Sequence, residues 1–206
     1  MEIVKLREID TQPVEFDIVS MTSMIQHRWS EKAKGQIRDK QAGKKTKARD
    51  KRDPKAEFKE ATYKTSDGKY GIPLLSLKAA IIGAAHKDLG VEKTLVRKAL
   101  FIQCPPNGGP DMVLEMKCEK PIMREDTVRV GAGSADLRYR PEFTAWSLHV
   151  KAIIDAELLQ VTDLLNLVDR AGFGVGIGEW RPERGGEYGR FQVNRAAAEV
   201  KVAAGG

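Results

Sequence analysis

The chain has 206 residues, of which 41% are hydrophobic, enough for one core with insertions. No apolar run reaches the roughly 18 residues that a membrane-spanning helix needs, and Met1–Asp10 is charged and lacks the apolar centre of a signal peptide. The formal net charge of +6 is localised: Arg28–Lys55 holds 12 Lys or Arg against 4 Asp or Glu, a local balance of +8 that leaves −2 for the rest.

In chain order, Val14–Met21 alternates and predicts a first strand, with Phe16, Ile18 and Ser20 on one side and Val14, Asp17 and Val19 on the other. Thr22–Lys55 then loses apolar periodicity, is crowded with lysine, and reads as a long, mobile, basic insertion. Lys44, Lys45, Lys47 and Arg49 lie in it. Concentrated charge of this kind suits a polyanion; it equally suits a solvated loop that aids solubility. Glu57–Lys64 reads as a short strand and Asp67-Gly68 as a turn.

Leu74–His86 predicts a helix, because Leu74, Leu77, Ile81, Ala84 and Ala85 share one face. Pro73 stands before it, and Gly83 inside it suggests close approach to a sheet. Leu100–Cys104 and Met112–Lys117 are short strands. Pro121–Arg140 reads as an arm or hairpin around Gly131-Ala132-Gly133, carrying Arg124, Arg129, Arg138 and Arg140. Phe143–Ile154 is a long strand with Trp146, Leu148, Val150 and Ala152 on one face. Thr162–Ala171 is a helix, with Thr162 as N-cap and Gly172 as its stop. Tyr188–Val193 is the last strand. The core order is βαββαβ, which predicts an α+β, ferredoxin-like or RRM-like fold. The whole chain, 1–206, reads as a single domain with the insertion at 22–55, the arm at 121–140 and a glycine-rich loop with the final strand at 171–193.

That loop, AGFGVGIGEWRPERGGEYGRFQV, is the most specific stretch. Gly172, Gly174, Gly176 and Gly178 alternate with Phe173, Val175 and Ile177. Glycine lets main-chain N–H groups turn toward a phosphate, and Arg181, Arg184 and Arg190 add charge at the same place. The glycines follow a helix and precede a strand, which is not the order of a dinucleotide fingerprint, and no GKS or GKT marks a P-loop. A tight loop folded back over the sheet is the alternative reading. Trp180 is either a platform for a base or a core anchor.

At these residues the chain resembles the RAMP superfamily, which includes the guide-RNA-binding backbone subunits of CRISPR effector complexes. The loop looks like the glycine-rich signature of that family. Gly71-Ile72-Pro73-Leu74-Leu75-Ser76-Leu77-Lys78 is similar to the segment that opens its first helix, with departures at Leu75, where serine is frequent, and Ala79, where glycine is. The resemblance implies an RRM-like core, RNA held by backbone contacts with Lys78 near the helix start, and side-by-side assembly. It fits a CRISPR subunit or a stand-alone, phage-borne relative.

Cys104 and Cys118 lie in or beside apolar runs without CxxC spacing and read as reduced core thiols of a cytoplasmic protein. His27, His86 and His149 are scattered, so no metal site is expected, and none has a partner that would make it catalytic. The sequence thus reads as a binding protein without cofactor, its partners single-stranded RNA or DNA and copies of itself or a larger nucleoprotein assembly, with no membrane. A RAMP-type endoribonuclease and a phage structural or DNA-packaging protein are the alternatives.

Overall fold

A computed structural model describes residues 7–44, 52–130 and 134–195. In chain order these hold strands β1 (Thr11–Ser20) and β2 (Met24–Ile25), helices α1 (Glu31–Gln41) and α2 (Pro54–Glu60), and β3 (Gly71–Pro73), which runs directly into α3 (Leu74–Leu89). Then come α4 (Lys93–Ala99), β4 (Leu100–Ile102), β5 (Val113–Cys118), the hairpin β6 (Ile122–Val130) and β7 (Ser134–Phe143), β8 (Trp146–Asp155), α5 (Val161–Arg170) and β9 (Phe191–Val193). The fold is mixed α+β, and every strand pairing among the described residues is antiparallel.

The main sheet runs β3-β5-β8-β1-β9, and β4 also pairs with β8, beyond the end of β5. β1 and β8 form its spine, in register from Thr11↔Asp155 to Val19↔Ser147. Strand side chains alternate between faces, so Val14, Phe16 and Ile18 share one face of β1, and Leu148, Val150, Ala152 and Ile154 one face of β8. This corrects the expected placement of Val14 opposite Phe16 and Ile18. Leu77, Ile81 and Ala84 of α3 and Leu164 and Val168 of α5 join that face in one core. The opposite face carries Glu15, Asp17, His149 and Lys151, tied to one another by polar side-chain contacts of 2.8–3.1 Å. A second, small sheet of order β2-β7-β6 stands beside it.

Several expectations are corrected. Thr22–Lys55 is not devoid of core elements: Met24 and Ile25 are buried in β2, and α1 follows. Hydrophobic periodicity missed α1 because it has no apolar face; it is set instead by the Ser30 cap, whose hydroxyl accepts the Ala33 N–H. Glu57–Lys64 is not a strand. Asp53 caps α2 and Pro54 occupies its first turn, a helix-start signal stronger than the β-propensity of Phe58 and Tyr63. Thr162 lies inside α5, whose N-cap position is Gln160. Gly172 does not stop that helix; a π-turn, Ala171–Val175, continues it. Cys104 is exposed and Cys118 half-buried; burial pushes the Cys118 thiol up to about 11.

Gly83 does not face the sheet closely. A Cβ built there would meet Val175 of the π-turn at 3.8 Å, an ordinary contact. Gly83→Ala should therefore keep the fold and gain about 0.5–1 kcal/mol from helix propensity and reduced chain entropy. Chemical denaturation measures this, and a loss of stability would show that α3 and the π-turn meet more tightly. Among the described residues no helix is long and apolar enough to cross a membrane.

Candidate nucleic-acid interface

A groove of about 590 Å³ lies between the start of α3 and the glycine-rich loop. Pro73, Leu75, Ser76 and Ala79 form one wall, Gly176, Gly178, Arg181 and Arg184 the other, with His27 and Tyr63 also lining it. The two stretches singled out in the sequence, Gly71–Lys78 and Ala171–Val193, therefore meet across a single cleft.

Local structure explains each wall. β3 passes into α3 without a break, and no side chain caps the helix. The first N–H groups of any α-helix have no intrahelical partner and carry its positive dipole end, so this wall favours negative charge. Buried Gln26 fixes the adjoining segments: its Nε2 donates to the Gly71 carbonyl at 2.8 Å, and its Oε1 accepts the Tyr63 N–H at 3.0 Å.

The loop wall is built differently from the expectation of free main-chain N–H groups. Gly176 donates to Ala171, Ile177 to Gly189, Glu179 to Ile25 and Gly189 to Ser23, all to carbonyl oxygens of the protein at 2.7–3.0 Å. Gly176 and Gly178 adopt φ of +71° and +82°. A Cβ on Gly178 would sit 2.4 Å from the Ile25 carbonyl, and one on Gly176 2.6 Å from Pro182. These glycines let the chain fold back on itself, so a valine at Gly176 tests the fold before it tests any ligand. Gly174 lies outside the groove, with Asp88 its nearest neighbour at 3.7 Å from a built Cβ.

The cations divide sharply. Arg184 is exposed at the groove and forms no ion pair with a described residue. Arg181 clamps the loop, bonding Glu183 at 2.9 Å and the Gly178 carbonyl at 3.1 Å. Glu183 in turn meets Lys87, and these two cations hold its carboxyl below its ordinary pKa. Lys78 turns away to the Leu100 carbonyl, 2.7 Å off, at the end of α4. Arg190 packs over the exposed Phe173 ring and pairs with Glu187. Arg129 is exposed on the hairpin, Lys44 pairs with Asp39 at 3.1 Å, and Lys45, Lys47 and Arg49 lie outside the described residues.

The arm is docked at its base. Asp126 and Arg140, both buried, form a pair at 2.7 Å, and Asp126 also accepts from Arg124 at 2.9 Å. Both guanidiniums lie over the Trp180 ring, at 5.1 and 5.4 Å from its centroid. Trp180 has φ of +49° and does not line the groove. It anchors hairpin to loop, although 38% of it remains exposed.

Sequence reasoning did not place His27 and Tyr63 in this cleft. His27 Nδ1 lies 3.2 Å from an Arg138 N–H and 3.9 Å from Glu179. Burial first, then Arg138, keeps its pKa below the ordinary value, so the ring is neutral at pH 7. Arginine has no acceptor; Nδ1 must accept, and Nε2 carries the proton. Burial likewise raises the Tyr63 phenol, which stays a protonated donor. Nothing in the local sequence signalled Tyr63, because its position depends on a hydrogen bond to Gln26, 37 residues away in the chain. Compared with known proteins, the chain matches no family profile and no curated sequence.

Proposed function

We propose that the protein binds single-stranded nucleic acid, RNA in preference, through backbone phosphates in the groove and without sequence selection. The observation that carries this is the meeting of the α3 start and the glycine-rich loop across one cleft, with Arg184 exposed at it. Of the groove's polar groups, the Leu74 N–H is taken by the Met112 carbonyl, Glu179 by Arg140, and Glu183 by Lys87 and Arg181, which leaves donors and a cation facing the groove: the Leu75 and Ser76 N–H groups at the start of α3, the His27 Nε2–H and the Arg184 guanidinium. That is the complement of a phosphate chain.

The strand order supports a ferredoxin-like reading of the core, with β9, β1 and β8 adjacent and β4 and β5 sharing the far edge of β8. On that reading the chain is a RAMP-type subunit, from a CRISPR effector or a stand-alone phage relative, that assembles side by side along the strand. A nuclease reading is weaker here, because the His27 tautomer offers a hydrogen-bond donor where cleavage of RNA asks for a general base.

Arg184→Ala should weaken binding of single-stranded RNA about tenfold to a hundredfold, the loss of one charge-assisted contact. Because phosphate contacts release counterions, its salt dependence should also flatten by about one unit of slope. Adding Arg181→Ala should deepen the loss. Fluorescence anisotropy across a salt series, with a thermal melt beside it, measures both. Wild-type affinity and slope in a normally folded Arg184→Ala protein would overturn the reading.

A further inference from the structure

Helix α1 poses a packing problem. None of its described residues is buried, and no other element packs extensively against it. A polar helix of 11 residues is marginal in water without such packing. Among the described residues it is held at its N-terminal end, by the Ser30 cap, by the Arg28 N–H to the Ala61 carbonyl and by Arg28 to Asp111 at 3.0 Å. Ser30–Lys44 carries 5 Lys or Arg against 2 Asp or Glu. Lys34 and Lys44 are matched with Glu31 and Asp39, while Arg38 and Lys40 form no ion pair with a described residue.

Beside the start of this helix stands Trp29. It is 58% exposed, and its indole makes no hydrogen bond or ring contact to a described residue. An exposed tryptophan with both polar and aromatic capacity unused is costly to leave in water and well suited to stacking. It lies two residues from His27, hence at most about 7 Å along the chain from a residue that lines the groove.

We propose that Trp29 and the basic surface of α1 form a second contact for single-stranded nucleic acid, which takes the strand as it leaves the groove and stacks one of its bases on the Trp29 indole. The proposal rests on the groove reading above and extends it to a ligand with unpaired bases, since a duplex has no free base face to offer. Arg38 and Lys40 neutralise phosphates beyond the stacked base, and their contribution is sequence-independent.

The test uses the full chain with oligouridylate and oligodeoxythymidylate of about 4 and about 16 nucleotides, lengths that bracket usual single-strand sites. Trp29→Ala should weaken binding of the longer strands about five- to a hundredfold and leave the shorter ones unchanged, whereas Arg184→Ala should weaken both. Trp29→Phe should restore most of the loss, which a purely structural role would not predict. Amide exchange in α1 should slow when the longer strand binds. Equal losses for short and long strands in Trp29→Ala, or no loss at all, overturn the second contact and leave the groove standing. Arg184→Ala binding like wild type while Trp29→Ala fails would overturn the groove alone. A wild-type protein that binds neither polymer overturns both. The two polymers distinguish RNA from DNA as the strand held.

Discussion

Asp126→Ala should be among the most damaging single changes in the chain, lowering stability by about 3–5 kcal/mol, or Tm by roughly 6–20 °C. Asp126 and Arg140 are 4% and 1% exposed, and among the described residues Asp126 is the one carboxylate that bonds both Arg140 and Arg124. Removing it leaves a buried guanidinium whose remaining carboxylate, Glu179, stands 3.4 Å away. Because both arginines lie over Trp180, the same change should shift the emission of that indole as its cationic neighbours relax. An apolar replacement of the whole pair, Asp126→Leu with Arg140→Met, should recover much of the loss, since the cost arises from an unmatched charge and not from a missing attraction. Urea unfolding of the three proteins decides the matter. A loss below about 1 kcal/mol in Asp126→Ala would mean that water reaches Arg140 and that the hairpin base is solvated.

The core strands and helices were legible because their signals are local. β1, α3 and β8 each repeat at the period of their own backbone, and the repeats alone name Phe16, Ile18, Leu77, Ile81, Leu148 and Val150 as core. Helix α1 was not legible, since its signals are a serine cap and charges placed to suit the helix ends, in a stretch without apolar period. α2 was hidden by aromatic residues that mimic a strand. The cleft was half legible. Gly71–Lys78 and the glycine loop stood out as motifs, yet nothing in the sequence could show that Arg124, Arg138 and Lys78 would turn to Asp126, His27 and the Leu100 carbonyl, leaving Arg184 at the groove without an ion pair among the described residues. Charge is visible in a sequence; whether a partner already satisfies it depends on contacts between residues far apart in the chain, such as Arg138 with His27.

The glycine-rich loop gives the other large effect, and three alanine substitutions separate fold from ligand. Gly189 has φ of +72°, and a Cβ there would sit 1.8 Å from the Ile177 carbonyl oxygen. That oxygen belongs to backbone locked in the same loop: the Ile177 N–H donates to Gly189, and the Gly189 N–H donates to Ser23. Alanine must therefore pay for the left-handed conformation, about 1–2 kcal/mol, and also break hydrogen bonds whose buried groups then go unmatched, about 1–3 kcal/mol more. Gly189→Ala should lose about 2–5 kcal/mol and release the Ser23–Ile25 segment from the loop. Gly178→Ala, with φ of +82° and the Ile25 carbonyl 2.4 Å from its Cβ, should behave alike. Gly174→Ala should not. Its φ is not in the left-handed region, its nearest neighbour is the Asp88 carboxylate at 3.7 Å, and it stands clear of the groove, so stability should stay within about 0.5 kcal/mol and RNA affinity should not change. Thermal melts and a binding titration on the three variants read out both properties. If Gly174→Ala melts normally but loses affinity, phosphates approach the main chain at the π-turn, and the ligand path runs along the other side of the loop. If Gly189→Ala melts like wild type, the loop is held less tightly than its hydrogen bonds require.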